Sequence, residues 1–247
     1  MNTSEPIRAT ALPGALPGAL EVYLLGLVDF DAALYLQERL SRDIAEQNDG
    51  RGALLICEHP PLITVGREGS RAEIRCDAGE LAAREIVVRW VNRGGRSIIH
   101  VPGQLVAYPI LPLARRGWGL ADYRDRLEQT LLDVCGELRV RAWQEPGAAG
   151  VFCRGGQLAH VGVAVRSWIS SQGLFVNVNP QMDFLRLVRA EDWRSTSLTA
   201  QRGNTVTMPS VRESLVRLLA ARLEYDRYHL YTGHPLLRRT KRVVAYA

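Results

Sequence analysis

Three polar, glycine-bearing stretches interrupt otherwise apolar segments of this 247-residue chain. They hold most of the side chains whose types and spacing suit chemistry. The first is Glu58-His59-Pro60-Pro61, with Gly66-Arg67 shortly after. The second runs Arg93-Gly94-Gly95-Arg96-Ser97-Ile98-Ile99-His100-Val101-Pro102-Gly103-Gln104. The third is Gly155-Gly156-Gln157-Leu158-Ala159-His160-Val161-Gly162, followed by Gln172-Gly173 and Asn177-Val178-Asn179. Paired glycines allow positive φ and let a ligand approach the backbone, so exposed amides can meet a carbonyl or a phosphate. Taken singly, a Gly-Gly pair is more often a turn, and a lone His160 more often a packed residue.

Nucleophiles are few. The four cysteines, Cys57, Cys76, Cys135 and Cys153, lie far apart with no CxxC, which suits reduced thiols in a cytoplasm. Cys153 precedes the Gly155-Gly156-Gln157 turn but occupies a strand position, where cysteine is usually an inert small hydrophobe. Arg154 beside it would point to the opposite face. Of 31 basic residues only Lys241 is a lysine, so any lysine-dependent chemistry must use it or fail. The five histidines show no metal-ligand spacing, and neither GxGxxG after a strand nor GxxxxGK[ST] occurs. No metal and no cofactor are expected.

The elements that must position these stretches read clearly. Apolar residues at helical spacing over 29–48, with Asp29 or Asp31 as cap, predict a helix. Residues 53–57 suit a buried strand, broken by Pro60-Pro61 and resumed over 62–65. Segments 85–91 and 97–100 read as strands flanking Arg93-Gly94-Gly95, and 104–111 as another, ended by Pro112. An amphipathic helix follows over 120–138, then strands over 150–153, 158–166 and 174–178. Pro209 opens a last helix reaching about Tyr225. Strands grouped between widely spaced helices predict an α/β (α+β) domain, a mixed sheet with helices on its faces.

Composition sets the bounds. With 47% apolar and 23% charged residues, disordered, collagenous and coiled-coil classes fall away. No run approaches the roughly 20 apolar residues of a membrane span, so a soluble, cytoplasmic protein is expected. The ALPG-ALPG stretch makes residues 1–20 read as a flexible tail before a single domain over 21–247. The net charge of +5 permits an acidic partner. Low aromatic content and the absence of an RNP-like pattern argue against an RNA-binding module. The cluster Arg238, Arg239, Lys241 and Arg242 reads as a solvated tail, or as a dock for an acidic carrier protein.

Together the stretches EHPPLITVGRE, NRGG with HVPGQLVAYPIL, GVFCRGGQLAHVGV and QGLFVNVN resemble the lipoyl(octanoyl) transferase family, in order and spacing, over residues 20 to 200. The resemblance implies the fold of lipoate and biotin protein ligases, a mixed sheet walled by helices around an acyl tunnel. It implies transfer of octanoyl from acyl carrier protein to a lysine on lipoyl domains of oxoacid dehydrogenases or the glycine cleavage H protein. Neither nucleic acid nor membrane is implied as a partner. Family members use a thioester on a cysteine, with a nearby lysine lowering the thiol's pKa. The acyl pocket corresponds to Arg93, Gly94, Gly95, Arg96, Ser97, Ile98, Ile99 and His100, with His160-Val161-Gly162 as a second wall and Gly173-Leu174-Phe175 as a third. Each buried methylene contributes about 0.8 kcal/mol, so an eight-carbon tail gains several kcal/mol there.

Four departures fall on that site. Gln157 stands at the family lysine, and Glu191 (beside Ala190) at the family cysteine. Gln172 stands where the family often has histidine, and Val101 where it has glycine. Glutamine brings no positive charge to depress a pKa, and a glutamyl adduct would be a readily hydrolysed mixed anhydride. The chain therefore reads as an acyltransferase with an altered route. One such route is direct transfer, relying on proximity and backbone donors, with His100 or Glu191 as general base. The alternative is an inactive acyl- or lipoyl-domain-binding homologue. An adenylating ligase is disfavoured, because those relatives also carry lysine at the position of Gln157.

Overall fold

A computed structural model of the chain describes the backbone of residues 7–8 and the whole of residues 18–189 and 193–237. Its strands are β1 (Ile7–Arg8), β2 (Leu20–Leu27), β3 (Gly52–Glu58), β4 (Leu62–Val65), β5 (Val87–Trp90), β6 (Ser97–His100), β7 (Gln104–Ile110), β8 (Ala142–Trp143), β9 (Gly150–Cys153), β10 (Gly156–Arg166), β11 (Ile169–Asn177) and β12 (Arg227–Thr232). Its helices are α1 (Phe30–Gln47), α2 (Ala78–Ala83), α3 (Leu120–Glu137), α4 (Met182–Leu185), α5 (Leu198–Arg202) and α6 (Met208–Arg222). The large sheet has the order β1-β12-β2-β3-β7-β11-β10-β9-β8, and a small sheet has the order β5-β4-β6. The pairs β12–β2, β2–β3 and β4–β5 are parallel and the others antiparallel, so both sheets are mixed.

The central strands are apolar on both faces because helices cover both. From β3, Leu54 and Ile56 point into one core and Ala53, Leu55 and Cys57 into the other. Residues of β7 and β11 divide the same way: Leu105, Ala107, Leu174 and Val176 against Val106, Tyr108 and Phe175. Helices α3 and α6 close the first face through Leu127, Leu131, Leu215 and Leu219. Helix α1 closes the second through Ala33, Leu36 and Leu40, its first turn capped by Asp29, whose carboxylate accepts the Ala32 N–H at 3.0 Å. A third, smaller core joins the small sheet to α2 and to Leu185 and Val188.

The α/β (α+β) class and the principal helices stand as the periodicity implies. Four strands carry no counterpart in the sequence reading: the short β1 and β8 at the two ends of the large sheet, and β2 and β12, which pair in parallel. The strand expected over 174–178 begins earlier, at Ile169, and the one expected over 85–91 is shorter, because Glu85 takes a positive φ of 54° where α2 ends. Within the stretch expected as a tail, the backbone of Ile7–Arg8 pairs with Tyr228 and Arg227, and Leu20 opens β2. No described helix is long and apolar enough to cross a membrane.

Candidate active site

The loop between β5 and β6, Arg93-Gly94-Gly95-Arg96, lies across β10, and glycine makes that approach feasible. A side chain at Gly162 would place its Cβ 2.9 Å from the Gly94 carbonyl and 3.1 Å from Arg93 Cδ. Gly95 turns the loop with φ +80°, a conformation side chains disfavour. Three carboxylate or carbonyl groups then pin it. Val163 O accepts the Gly94 N–H at 2.9 Å, Glu68 Oε1 accepts the Gly95 N–H at 3.0 Å, and Glu73 Oε2 accepts the Ser97 N–H at 2.9 Å. Burial raises the Glu73 carboxyl, but the hydrogen bonds from Ser97 and Arg96 outweigh it and hold the group below its usual range. The glycine amides that sequence reasoning offers to an acyl carbonyl are thus already engaged, as loop amides near a packed core must be.

Arg93 is the main charge of this site. Its residue is fully buried, Nη2 donates to Thr64 O at 3.1 Å and to Thr64 Oγ1 at 2.7 Å, and Nη1 donates to Gly94 O at 3.0 Å. The guanidinium carbon lies 5.7 Å from the Phe175 ring centroid. Its Nε has no partner, and among the described residues no carboxylate pairs with it. Burial lowers its pKa to about 10. A buried cation with no carboxylate in direct contact among the described residues, Glu68 and Glu73 acting on it only from a distance, favours an incoming group that carries or develops negative charge.

A polar chain runs inward from Arg93. Because Thr64 Oγ1 accepts from Arg93, its own proton goes to His100 Nε2 at 2.9 Å. His100 Nδ1 donates to Gln104 Oε1 at 2.8 Å, and Gln104 Nε2 donates to Ile99 O at 3.1 Å and Asn177 Oδ1 at 3.0 Å. A neighbouring pair is built alike: His59 Nδ1 donates to Val28 O at 2.7 Å, leaving Nε2 to accept from Tyr108 OH at 2.9 Å. Burial keeps both imidazoles neutral, His59 pulled down to about 4 and His100 well below its ordinary value. With both ring nitrogens bonded and no exposure, His100 is unsuited to the general-base role the sequence suggested; it is a structural link.

Over the Arg93 loop lies a cavity of about 220 Å³. Arg93, Gly94, Gly95, Arg96, Ser97, Ile98, Gln157, His160 and Val161 line it. A water-sized space behind it, about 10 Å³, is reached by Ile98, Ile99, Gln157 and His160. The remaining expected residues lie elsewhere: Gly162 under the loop, Gly173 against Ala107 O of β7, Leu174 in the α3–α6 core and Phe175 beneath Arg93. Walls that sequence reading missed come from distant segments. Phe152 and Trp193 meet with ring centroids 5.0 Å apart, and the 147–149 loop and Arg124 of α3 close the far side. Arg124 Nη2 donates to Ala148 O at 2.8 Å, and buried Glu128 accepts the Gly150 N–H at 2.8 Å. No local pattern signals such a wall, since each piece is ordinary in its own segment.

Gln157 edges the cavity, and its amide is committed: Nε2 donates to Ala149 O at 3.0 Å and Ala159 O at 3.4 Å. It ties the 147–149 loop to β10. Glu191 and Ala190 lie outside the described residues, as does the Arg238, Arg239, Lys241 and Arg242 cluster. Gln172 sits away from the cavity with φ 58°, its N–H donated to Gln37 Oε1 at 2.8 Å, and Val101 packs in the third core. All four cysteines are buried and none lines the cavity. Burial raises every thiol, Cys135 to about 12. Cys57 Sγ lies 3.6 Å from His59 Nε2, and Cys153 Sγ donates to Gly156 O at 3.4 Å. Among the described residues no group of three or more His, Cys, Asp or Glu could hold a metal.

His160 differs from the other two inner histidines. It is half-buried at the junction of the two spaces, paired with Phe175 on one side and with Gly150, which has no side chain, on the other. Neither ring nitrogen has a hydrogen-bond partner among the described residues. Burial, and then the charge of Arg93, pull its pKa down to about 4.

Comparison with known proteins places this geometry. Residues 29–220 match the lipoyl protein ligase A/B catalytic domain. An octanoyltransferase of Geotalea uraniireducens is 40% identical over 191 residues, covering 76% of this chain and 86% of the relative. One from Geobacter metallireducens is 37% identical over 214 residues, covering 85% and 97%. A crystal structure of lipoate-protein ligase A bound with ATP superposes with TM-score 0.71 at 14% identity, over 88% of this chain and 90% of that one. A putative lipoate protein ligase from T. acidophilum with bound lipoic acid gives 0.66 at 15% identity, over 88% and 91%. The domain match and the likeness to octanoyltransferases over most of both chains establish that the chain belongs to the lipoyl(octanoyl) transferase family.

Proposed function

We propose that this protein transfers an octanoyl group from acyl carrier protein to a lysine of lipoyl domains or of the glycine cleavage H protein, and that it does so directly. The observation that carries the reading is the cavity over the Arg93 loop. It is flanked by apolar Ile98, Phe152, Val161, Val163 and Trp193 and contains one buried guanidinium with no carboxylate in direct contact among the described residues. Such a space suits an alkyl chain whose carbonyl oxygen gains negative charge during acyl transfer. In this reading no covalent acyl-enzyme forms, because no described thiol faces the cavity and Gln157 has no charge to offer. Amine and thioester react because both are held together. Residues 21–247 are taken as the single domain that does this, acting in the cytoplasm.

A second reading keeps the pocket without the turnover: an acyl- or lipoyl-domain-binding homologue. The Gln157 tie to Ala149 O favours it, since the position that serves chemistry in the family here serves architecture. Intact-mass measurement separates the two. An apo lipoyl domain is incubated with octanoyl-acyl carrier protein and this chain, beside a no-protein control and a Gln157→Lys, Glu191→Cys double variant. Catalytic gain of an octanoyl mass with the unmodified chain supports transfer. Gain with the double variant alone supports the binding reading, and gain with neither refutes both octanoyl readings of the site.

A further inference from the structure

We propose that His160 is the general base of this site, accepting the proton that the attacking lysine amine must lose. The assignment rests on the direct-transfer reading above and adds a residue to it. Direct aminolysis of a thioester needs a proton acceptor beside the reacting carbonyl and a donor for the leaving sulfur. The cavity offers few groups for that. Arg67, Arg93, Arg96 and Arg124 are cations, Gln157 does not titrate, and the Glu68 carboxylate is bonded to the Gly95 amide. His100, on the far side of Phe175, has both ring nitrogens bonded. His160 alone among these pairs an unbonded imidazole with a place on the wall of both spaces.

Strand geometry puts it beside the guanidinium. On β10, His160 and Gly162 share one face, and Gly162 passes directly under Arg93 Cδ. Burial and the Arg93 charge hold the free imidazole unprotonated at neutral pH, so its lone pair is available. As the amine adds, negative charge grows on the carbonyl oxygen near Arg93. That charge offsets the guanidinium and makes the imidazole more basic at the moment it is needed. The amine nitrogen bonds to the carbonyl carbon, its proton passes to His160, the carbon–sulfur bond breaks, and the imidazolium returns the proton to the departing thiolate. Amide and free thiol are the products, and His160 ends neutral.

Single-turnover octanoyl transfer to the apo lipoyl domain tests this with the full chain, His160→Ala and His160→Gln, each with and without added imidazole. Binding of octanamide, an unreactive acyl probe, is followed in parallel by its protection against thermal unfolding. The expected result is a rate loss of about 10²- to 10⁴-fold in both variants. Octanamide protection should be retained, and imidazole should restore part of the rate to His160→Ala alone. Unchanged transfer in the variants overturns the assignment while leaving the functional reading in place. Loss of rate together with octanamide binding, without rescue, makes His160 a wall residue and overturns it too. Absence of transfer by the unmodified chain fails the functional reading itself, and the assignment with it.

Discussion

Thr64 sits where the charge of Arg93 is coupled to the buried histidines, and Thr64→Val probes that coupling without opening a cavity. The methyl replaces the hydroxyl at nearly equal volume, so the change is almost purely one of hydrogen bonding. Two contacts end: the 2.7 Å bond from Arg93 Nη2 and the 2.9 Å bond to His100 Nε2. A hydrogen bond to a charged group is worth about 1.5–3 kcal/mol, and a buried acceptor left unsatisfied costs about 1–3 kcal/mol. Because both pass through one oxygen they do not add fully, and we expect about 3–5 kcal/mol. At this chain length that corresponds to a fall of roughly 10 °C or more in Tm. Urea unfolding at constant slope reports it directly, with Thr64→Ser, which keeps the hydroxyl, expected to lose about 1 kcal/mol. A Thr64→Val loss below about 0.5 kcal/mol, or a Thr64→Ser loss as large as that of Thr64→Val, would refute the chain as drawn.

Stability should also depend on acidity through His59, His100 and His160, whose folded pKa values lie below the ordinary value near 6.5. Unfolded chain binds their protons first, so the stabilisation is complete above about pH 6.5 and declines as pH falls towards 4, at up to about 1.4 kcal/mol per unit for each histidine. Urea midpoints between pH 7.5 and 5 check this before carboxylates titrate; a flat profile would contradict neutral buried imidazoles. Gly162→Val should push the Arg93 loop off β10, costing about 1–3 kcal/mol and abolishing octanamide protection; protection equal to that of the unmodified chain would show that the loop does not define the cavity. The four buried thiols should resist an aromatic disulfide reagent until the chain is unfolded, and Cys153→Ala should transfer octanoyl at the unmodified rate. A thiol that titrates rapidly in the folded chain would reopen the case for covalent catalysis.

The sequence alone determined what is local or periodic. Continuous apolar runs mark β3 and β7, buried on both faces, and helical spacing marks α1 and α3, whose apolar stripe faces the sheet. The order of the glycine-bearing stretches is legible too, since only glycine permits the approach at Gly162 and the turn at Gly95. The strands β2 and β12 are not, because their parallel pairing joins segments some 200 residues apart (Leu20 with Tyr228) and leaves no local trace. The same holds at the site. Both Arg93 and His100 stand in one conspicuous motif, yet one lines the cavity and the other is sealed behind Thr64. Gln157 and His160 are three residues apart on one strand, yet one is tied to a loop and the other left unbonded. Composition names the side chains available, but which of them keep a free lone pair or an unmatched charge is decided by partners that only tertiary packing brings within reach.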